Sequence, residues 1–307
     1  MAIDEHLRAI LRSVWHRTAE TCVETHDSSD SRWSVTIDGG RYTVRIAPES
    51  RRLGLVASLD AAEALAAAGI PIGKPVRTAD GALTATTSFG DMALVYAVSG
   101  RPLRALDPLD QQWWGDLLGR AHRALLGHQA SVPARLSLPA LAGSHLAVAS
   151  WLRPALSDVA AAVTRLMVTD QLTYGVLHGD PRPEGFHLDP ETGATAMTGW
   201  GRPTVGPLVY DAAIAVRHAG GIEAAEEFID GYISAGPVTG DELSVALGVM
   251  LRLHWALVAE DHARAIAGTG SIVPLPRATA SAIAARRDGL EVARQALADL
   301  AHVDRAE

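Results

Sequence analysis

The chain is nearly devoid of cysteine and lysine and carries no excess of basic charge. Its 307 residues include one cysteine, Cys22, so no intramolecular disulfide can form and a disulfide-stapled scaffold is excluded. Against 35 Asp and Glu stand 27 basic residues, of which Lys74 is the sole lysine, giving a net charge of −8. That balance supplies no electrostatic basis for binding nucleic acid or an anionic membrane surface, and neither is expected as a partner. A long uninterrupted apolar run is also missing. The N-terminal segment MAIDEHLRAILRSVW is amphipathic but acidic, and the apolar stretch from Leu243 to Val258 is broken by Arg252 and His254, short of the roughly 20 residues that cross a bilayer. A cytoplasmic location is the expectation. Common catalytic signatures are absent too: there is no G-x-S-x-G elbow and no H-E-x-x-H pair, and the 12 histidines show no ligand spacing, so no zinc site is expected. The run Gly69-Ile-Pro-Ile-Gly73-Lys74-Pro75 has one residue too few between its glycines for a phosphate loop, and proline where Ser or Thr must meet the metal.

What is present is the composition of a reduced globular protein, 48% hydrophobic and 20% charged, long enough for about two domains. Leu7, Ile10, Leu11 and Val14 repeat at helical spacing and predict an opening helix over 4–18. Three strand-like runs follow, ETCVET, SRWSVTI and RYTVRI, the last two joined by Asp38-Gly39-Gly40, a strong hairpin signal. An alanine-rich helix over 56–68 is closed by Gly69 and Pro71, and the runs TATTSF and MALVYAV complete a small β-rich lobe. Helical periodicity then dominates over 108–127, 140–167, 207–235, 239–266 and 276–302. One interruption, 172–200, reads as a strand, a Pro/Gly-rich loop and a short hairpin. The expected fold class is therefore α+β, with a β-rich lobe containing one helix over 1–98, a larger helical lobe over 99–307, and a cleft between them that suits a ligand.

The tripeptide His178-Gly179-Asp180 lies between a strand and a hairpin, where a loop aspartate can be presented to a substrate hydroxyl as general base. The segment VLHGDPRPEGFHLDPETGATAMTGWGRPTVGPLVYDAA resembles the aminoglycoside phosphotransferase and choline kinase family, whose fold is similar to that of protein kinases. YTVRI, LAAAGIPIGKPV, LVYAVSGRPL, LLGRAHRALLG, FIDGYISAGPVTGDEL and LRLHWALVAEDHARAI agree with it in order. The resemblance covers roughly residues 20–270. It implies a two-lobe protein-kinase-like fold with ATP in the cleft, Arg45 as the phosphate-contacting base of the third strand, and Tyr96 and Val98 at the lobe connection as nucleotide contacts. It also implies Asp180 as the catalytic base, with His178 and Asp211 as structural support for its loop. Arg182 and Arg202 flank this site; Trp113, Trp114 and Trp255 read as packing residues.

The same comparison exposes departures. The family's catalytic-loop asparagine falls on Gly185, and its metal-binding aspartate falls on Gly199. Neither offers a side-chain oxygen to magnesium, which is held by one or two carboxylates besides phosphate and water; Glu184 is the nearest substitute. The glutamate that partners the third-strand base falls near Ser58, with Asp60 or Glu63 as alternatives after a half-turn shift. The turn HDSSDS carries no glycine for a phosphate-covering loop. Two readings of function follow. The first is a kinase-fold protein with an impaired magnesium site that binds a nucleotide, small molecule or peptide as an accessory protein, a protein partner included. The second is an active ATP-dependent phosphotransferase acting on a hydroxyl of a small molecule or modified peptide.

Overall fold

In the computed structural model, which describes residues 3–26, 31–128, 134–169, 171–269 and 280–303, the N-terminal lobe is built around a sheet packed on both faces. Helix α1 (Ile3–Val14) turns Leu7 and Leu11 inward, and the following Trp15 donates its indole N–H to the carbonyl of Val76 at 2.9 Å. Strands β1 (Ala19–His26), β2 (Ser31–Ile37) and β3 (Gly40–Ala47) form the expected meander. Asp38 and Gly39 both take positive φ, 50° and 73°, so the β2–β3 turn is the two-residue type whose twist matches its strands. The HDSSDS turn falls on residues 26–31, of which 27–30 lie outside the described residues.

The period-2 alternation along β3 decides what faces the cleft. Val44 and Ile46 enter the core formed with α1, Trp33, Val35, Met92 and Leu94, while Arg45 and Ala47 turn to the opposite face, where Leu55, Leu59, Ala93 and Val95 pack. That second face is covered by α2 (Arg52–Ala67), which ends as the sequence predicts. Gly69 has φ +79°, and Ile70 donates back to the carbonyl of Leu65 at 3.0 Å, the double-back bond that satisfies a helix's last carbonyls. Strands β4 (Pro75–Val76), β5 (Ala85–Thr87) and β6 (Gly90–Tyr96) complete the sheet in the order β1-β2-β3-β6-β4, with β5 on β6.

The larger lobe opens with β7 (Arg101–Pro102) and α3 (Pro108–Ala124), the latter capped by Asp107 and started by Pro108. The fork of Arg101 clasps the buried Asp110 carboxylate at 2.6 and 2.7 Å, fixing the lobe connection to the start of α3. Helix α4 (Leu152–Met167), β8 (Tyr174–Leu177), the hairpin β9 (Phe186–Leu188) and β10 (Thr195–Met197), and β11 (Thr204–Pro207) lead to α5 (Val209–His218), α6 (Glu226–Ala235), α7 (Gly240–Ala267) and α8 (Ala280–Val303). The largest core joins α3 to α8, and Ala61, Leu65 and Ile70 of the smaller lobe also pack into it. Backbone bonds stitch the lobes as well: Met197 donates to Pro71 at 2.9 Å and Gly73 donates to Met197 at 2.8 Å.

Three expectations are corrected. The helix over 140–167 is confined to α4, preceded by a single 3-10 turn at Ser144–Ala147; Pro154 is tolerated because it lies in the first helical turn. The helix over 207–235 is two helices, separated at Gly220 and Gly221, whose φ values of +100° and +113° cannot continue a helix. The stretch around Leu243 belongs to a helix of 28 residues, long and apolar enough by length and composition to cross a membrane, with 56% of its apolar window buried in this fold. Within it Arg252 pairs with Asp158.

Candidate functional site

Strand β8 delivers the His-Gly-Asp loop, and Asp211 holds it. At the first turn of α5 and fully buried, the Asp211 carboxylate accepts from the amides of His178 and Gly179, the latter at 2.9 Å, and from Nε2 of buried His122 at 3.0 Å. Nδ1 of His122 lies 2.8 Å from the hydroxyl of Tyr232, which is fully buried in α6. The loop backbone is therefore fixed from beneath by charge-assisted bonds in a dry setting. His178 is buried too; its Nε2 lies 3.3 Å from the carbonyl of Gly199, and its Nδ1 accepts from the Asp180 amide at 3.3 Å. Burial holds the imidazole below its ordinary pKa, partly opposed by Asp211, so it braces the loop as a neutral ring. Gly179 has φ +77°, and a Cβ there would run into the carbonyl of Arg202. The loop thus requires glycine between His178 and Asp180.

Asp180 itself is partly exposed, with Oδ1 accepting from Nε of Arg182 at 2.8 Å. Burial raises its pKa, but the bond and charge of Arg182, and the charge of Arg202, outweigh burial and hold it below the usual carboxylate range. It is ionised at neutral pH and suited to accept a proton once Arg182 releases it.

On the opposite wall Arg45 donates from Nη1 to Ser58 Oγ of α2 at 3.1 Å, and the Ser58 hydroxyl in turn donates to the carbonyl of Trp200. Ser58 thus stands where the resemblance sets a partner of the third-strand base and bonds to it. The alternatives face elsewhere: Asp60 lies 3.3 Å from His128, and Glu63 grips Arg77. Trp200 is fully buried, its indole N–H donating to Leu177 at 3.0 Å.

Gly185 and Gly199 stand beside each other across the bond from the Thr198 amide to the Gly185 carbonyl, 2.8 Å. A Cβ on Gly185 would meet Thr198 Oγ1 at 3.8 Å, and one on Gly199 would meet Arg45 Nη1 at 3.7 Å. Neither position excludes a side chain, yet a guanidinium occupies the space beside Gly199. Among the described residues no three His, Cys, Asp or Glu side chains gather as a metal site. Glu184 is exposed, in the 3-10 turn Pro183–Gly185. The residues present therefore do not fit a magnesium ion held at these two positions. At the lobe connection the amides of Tyr96 and Ala97 bond to Lys74 and Arg41, whereas the half-buried Val98 amide carries no hydrogen bond among the described residues. The ring of Tyr96 lies against Tyr42, centroids 4.9 Å apart.

Sequence reasoning missed two groups of residues. His122 sits inside the motif LLGRAHRALLG, and its signal is a polar residue on the buried face of a helix. Tyr210 and Arg217, two turns apart on α5, meet His254 and Trp255 of α7 within electrostatic reach of Asp180. Only their seven-residue spacing on α5 hinted at a shared face.

A profile of the phosphotransferase enzyme family matches residues 24–243. A homoserine kinase of Methylobacillus flagellatus is 26% identical over 236 residues, covering 72% of each chain. Among solved structures, a microcompartment-associated aminopropanol kinase superposes with a TM-score of 0.73 at 14% identity, covering 99% of this chain and 98% of the other. An amicoumacin kinase in complex with AMP-PNP, Ca2+ and Ami gives 0.71 at 17% identity, covering 94% and 93%. A choline kinase of Streptococcus pneumoniae gives 0.64 at 12%, covering 96% and 98%. These likenesses confirm the two-lobe kinase-like fold.

Proposed function

The chain belongs to the phosphotransferase enzyme family, and from that premise we propose that it binds a nucleotide and a small molecule in the interlobe cleft while its magnesium-dependent phosphoryl transfer is impaired. The observation that carries this reading is the exchange of charge on the metal side. Where the family's aspartate would present a carboxylate, Gly199 presents none, and the guanidinium of Arg45 lies 3.7 Å from where its Cβ would be. A cation there repels a divalent ion and attracts phosphate oxygens, so Arg45, the third-strand base, is left without a neighbouring metal-binding carboxylate to neutralise phosphate charge on this wall. The open amide of Val98 supports the same reading as a donor for the edge of a base. Losing one preorganised electrostatic contact typically costs about 10²–10³ in rate, and two are absent here.

A second reading rests on the intact loop. With Asp180 ionised and its backbone clamped by Asp211, the protein retains a base for a substrate hydroxyl, and an active phosphotransferase would then rely on Glu184 as a relocated metal ligand. The chain's likeness to a homoserine kinase supports this alternative. Calorimetric titration with ATP, with and without magnesium, separates the two. The impaired reading expects an ATP affinity that changes by less than about threefold on adding the ion. A gain of about a hundredfold, abolished by Glu184→Gln and accompanied by phosphorylation of homoserine or another hydroxyl compound that is lost in Asp180→Asn, establishes the active one.

A further inference from the structure

Within electrostatic reach of Asp180, helices α5 and α7 bring together a group of side chains that neither the loop nor the Arg45 wall uses. Arg217 lies with its guanidinium carbon 4.6 Å above the ring of Trp255. Its Nη1 donates to Nε2 of His254 at 3.3 Å. Since Nε2 must accept there, a neutral His254 carries its proton on Nδ1, facing the hydroxyl of Tyr210 at 3.5 Å. Burial pushes the His254 pKa down to about 3 and the Tyr210 pKa well up, so both stay neutral at physiological pH. The Tyr210 O–H is then left as a donor, as are the remaining N–H groups of Arg217. Among the described residues Arg217 has no carboxylate partner, although it is half-buried and within electrostatic reach of Asp180 and Arg182. A half-buried guanidinium held over an indole and lacking a carboxylate among the described residues is an incomplete pair, because a charge removed from water is ordinarily paired.

We propose that Arg217, held over the ring of Trp255 and joined by the hydroxyl of Tyr210, binds the carboxylate of a small molecule that occupies the cleft beside Asp180. The planar fork suits a two-oxygen anion, and the contacts with Trp255 and His254 hold the guanidinium in place. The ionised Asp180 close by disfavours a second negative group, which argues for one carboxylate on the ligand and for a hydroxyl or ammonium at the end nearer Asp180. This assignment rests on the reading of the cleft as a small-molecule site and adds the chemical class of its occupant.

The test is calorimetry on the full chain with L-lactate, 4-hydroxybutyrate and 4-aminobutyrate, each paired with its amide, and with inorganic phosphate and ATP as further probes. At least one carboxylate binds about tenfold or more tightly than its amide. Arg217→Gln removes that preference. Should Arg217→Gln fail to fold, Arg217→Lys and Tyr210→Phe serve, the first keeping the charge without the fork and the second deleting one hydroxyl; each weakens the carboxylate by about threefold or more and leaves its amide unchanged. The inference is overturned if no carboxylate outcompetes its amide, if the preference survives in Arg217→Gln, or if phosphate binds more tightly than every carboxylate. ATP distinguishes this failure from that of the broader reading: ATP binding without any carboxylate preference overturns only the Arg217 assignment, and absence of binding by every probe overturns both.

Discussion

Two sides of one loop differ sharply. On the side of Asp211 every polar group is met: a fully buried carboxylate gathers two amides and an imidazole, and that imidazole is in turn seated on a buried tyrosine. On the side of Gly185 and Gly199, five to nineteen residues further along the chain from Asp180, neither glycine offers a side chain, and a Cβ on either would come within 4 Å only of Thr198 or of the guanidinium of Arg45. The comparison teaches that presenting Asp180 and binding a metal are separable tasks in this fold. The first is secured by buried hydrogen bonds that cost stability if broken. The second depends on side chains that the scaffold does not require for its own integrity.

Breaking the dense side should have the largest effect. Asp211→Asn replaces an acceptor by a group that must point N–H at N–H, and should destabilise the protein by about 3 kcal/mol or more in urea unfolding, with loss of ligand binding at the loop. A loss under about 1 kcal/mol would show that the buttress is not structural. Next comes Gly179→Ala, where both the φ of +77° and the Arg202 carbonyl oppose a Cβ; the expected loss is about 2 kcal/mol, read from the same denaturation curves.

Acidification sharpens the comparison less drastically. His145, His178, His218, His254 and His262 are all held below their ordinary pKa, with burial the leading cause in each. The unfolded chain therefore takes up protons below about pH 6.5 that the folded chain refuses, and stability falls as pH drops. Each fully neutral histidine contributes a slope of up to about 1.4 kcal/mol per pH unit. The urea midpoint should fall between pH 7.5 and 5.5, and His178→Gln should flatten that fall. Asp180 and Asp110, whose pKa values are lowered, are silent in this window, because their contribution is lost only as pH falls through still lower values.

The smallest effect on stability is expected on the sparse side. Gly185→Asn with Gly199→Asp should change stability by no more than about 1 kcal/mol, since neither glycine has a left-handed φ and each has room for a Cβ. It should also create magnesium-dependent ATP binding. A folded double variant that ignores magnesium would show that Arg45 pairs with the new carboxylate and that the wall has diverged beyond two positions.

Much of the site was legible because its signals are local. The His-Gly-Asp tripeptide stands out in one segment; the family resemblance, counted along that segment, implies the place of Asp211 and the two glycines at metal positions, and it sets the partner of the third-strand base near Ser58 while leaving Asp60 and Glu63 open. The N-terminal meander was legible from alternation and an Asp-Gly turn. Helix continuity over 207–235 was misread because apolar periodicity runs on through Gly220 and Gly221, whose conformation the pattern does not carry. Strand β11 is four residues long and includes a glycine and a proline, too short for alternation to register. Arg217 and Trp255 stayed hidden for a different reason: they are 38 positions apart and meet only through the packing of α5 on α7, so Trp255 read as packing although its face carries a cation.

The backbone bonds between Pro71, Gly73 and Met197 have a consequence for motion. They lie where the two lobes would have to part for the cleft to gape, and Ser58 adds a link to Trp200. None of these links is an ion pair, so raising salt does little to loosen them. Wide hinge opening would have to break several of them at once, at a net cost of about 0.5–1.5 kcal/mol each. For the ligand proposed above, entry would then depend on rearrangement of exposed side chains such as Arg182 more than on a large movement of the lobes.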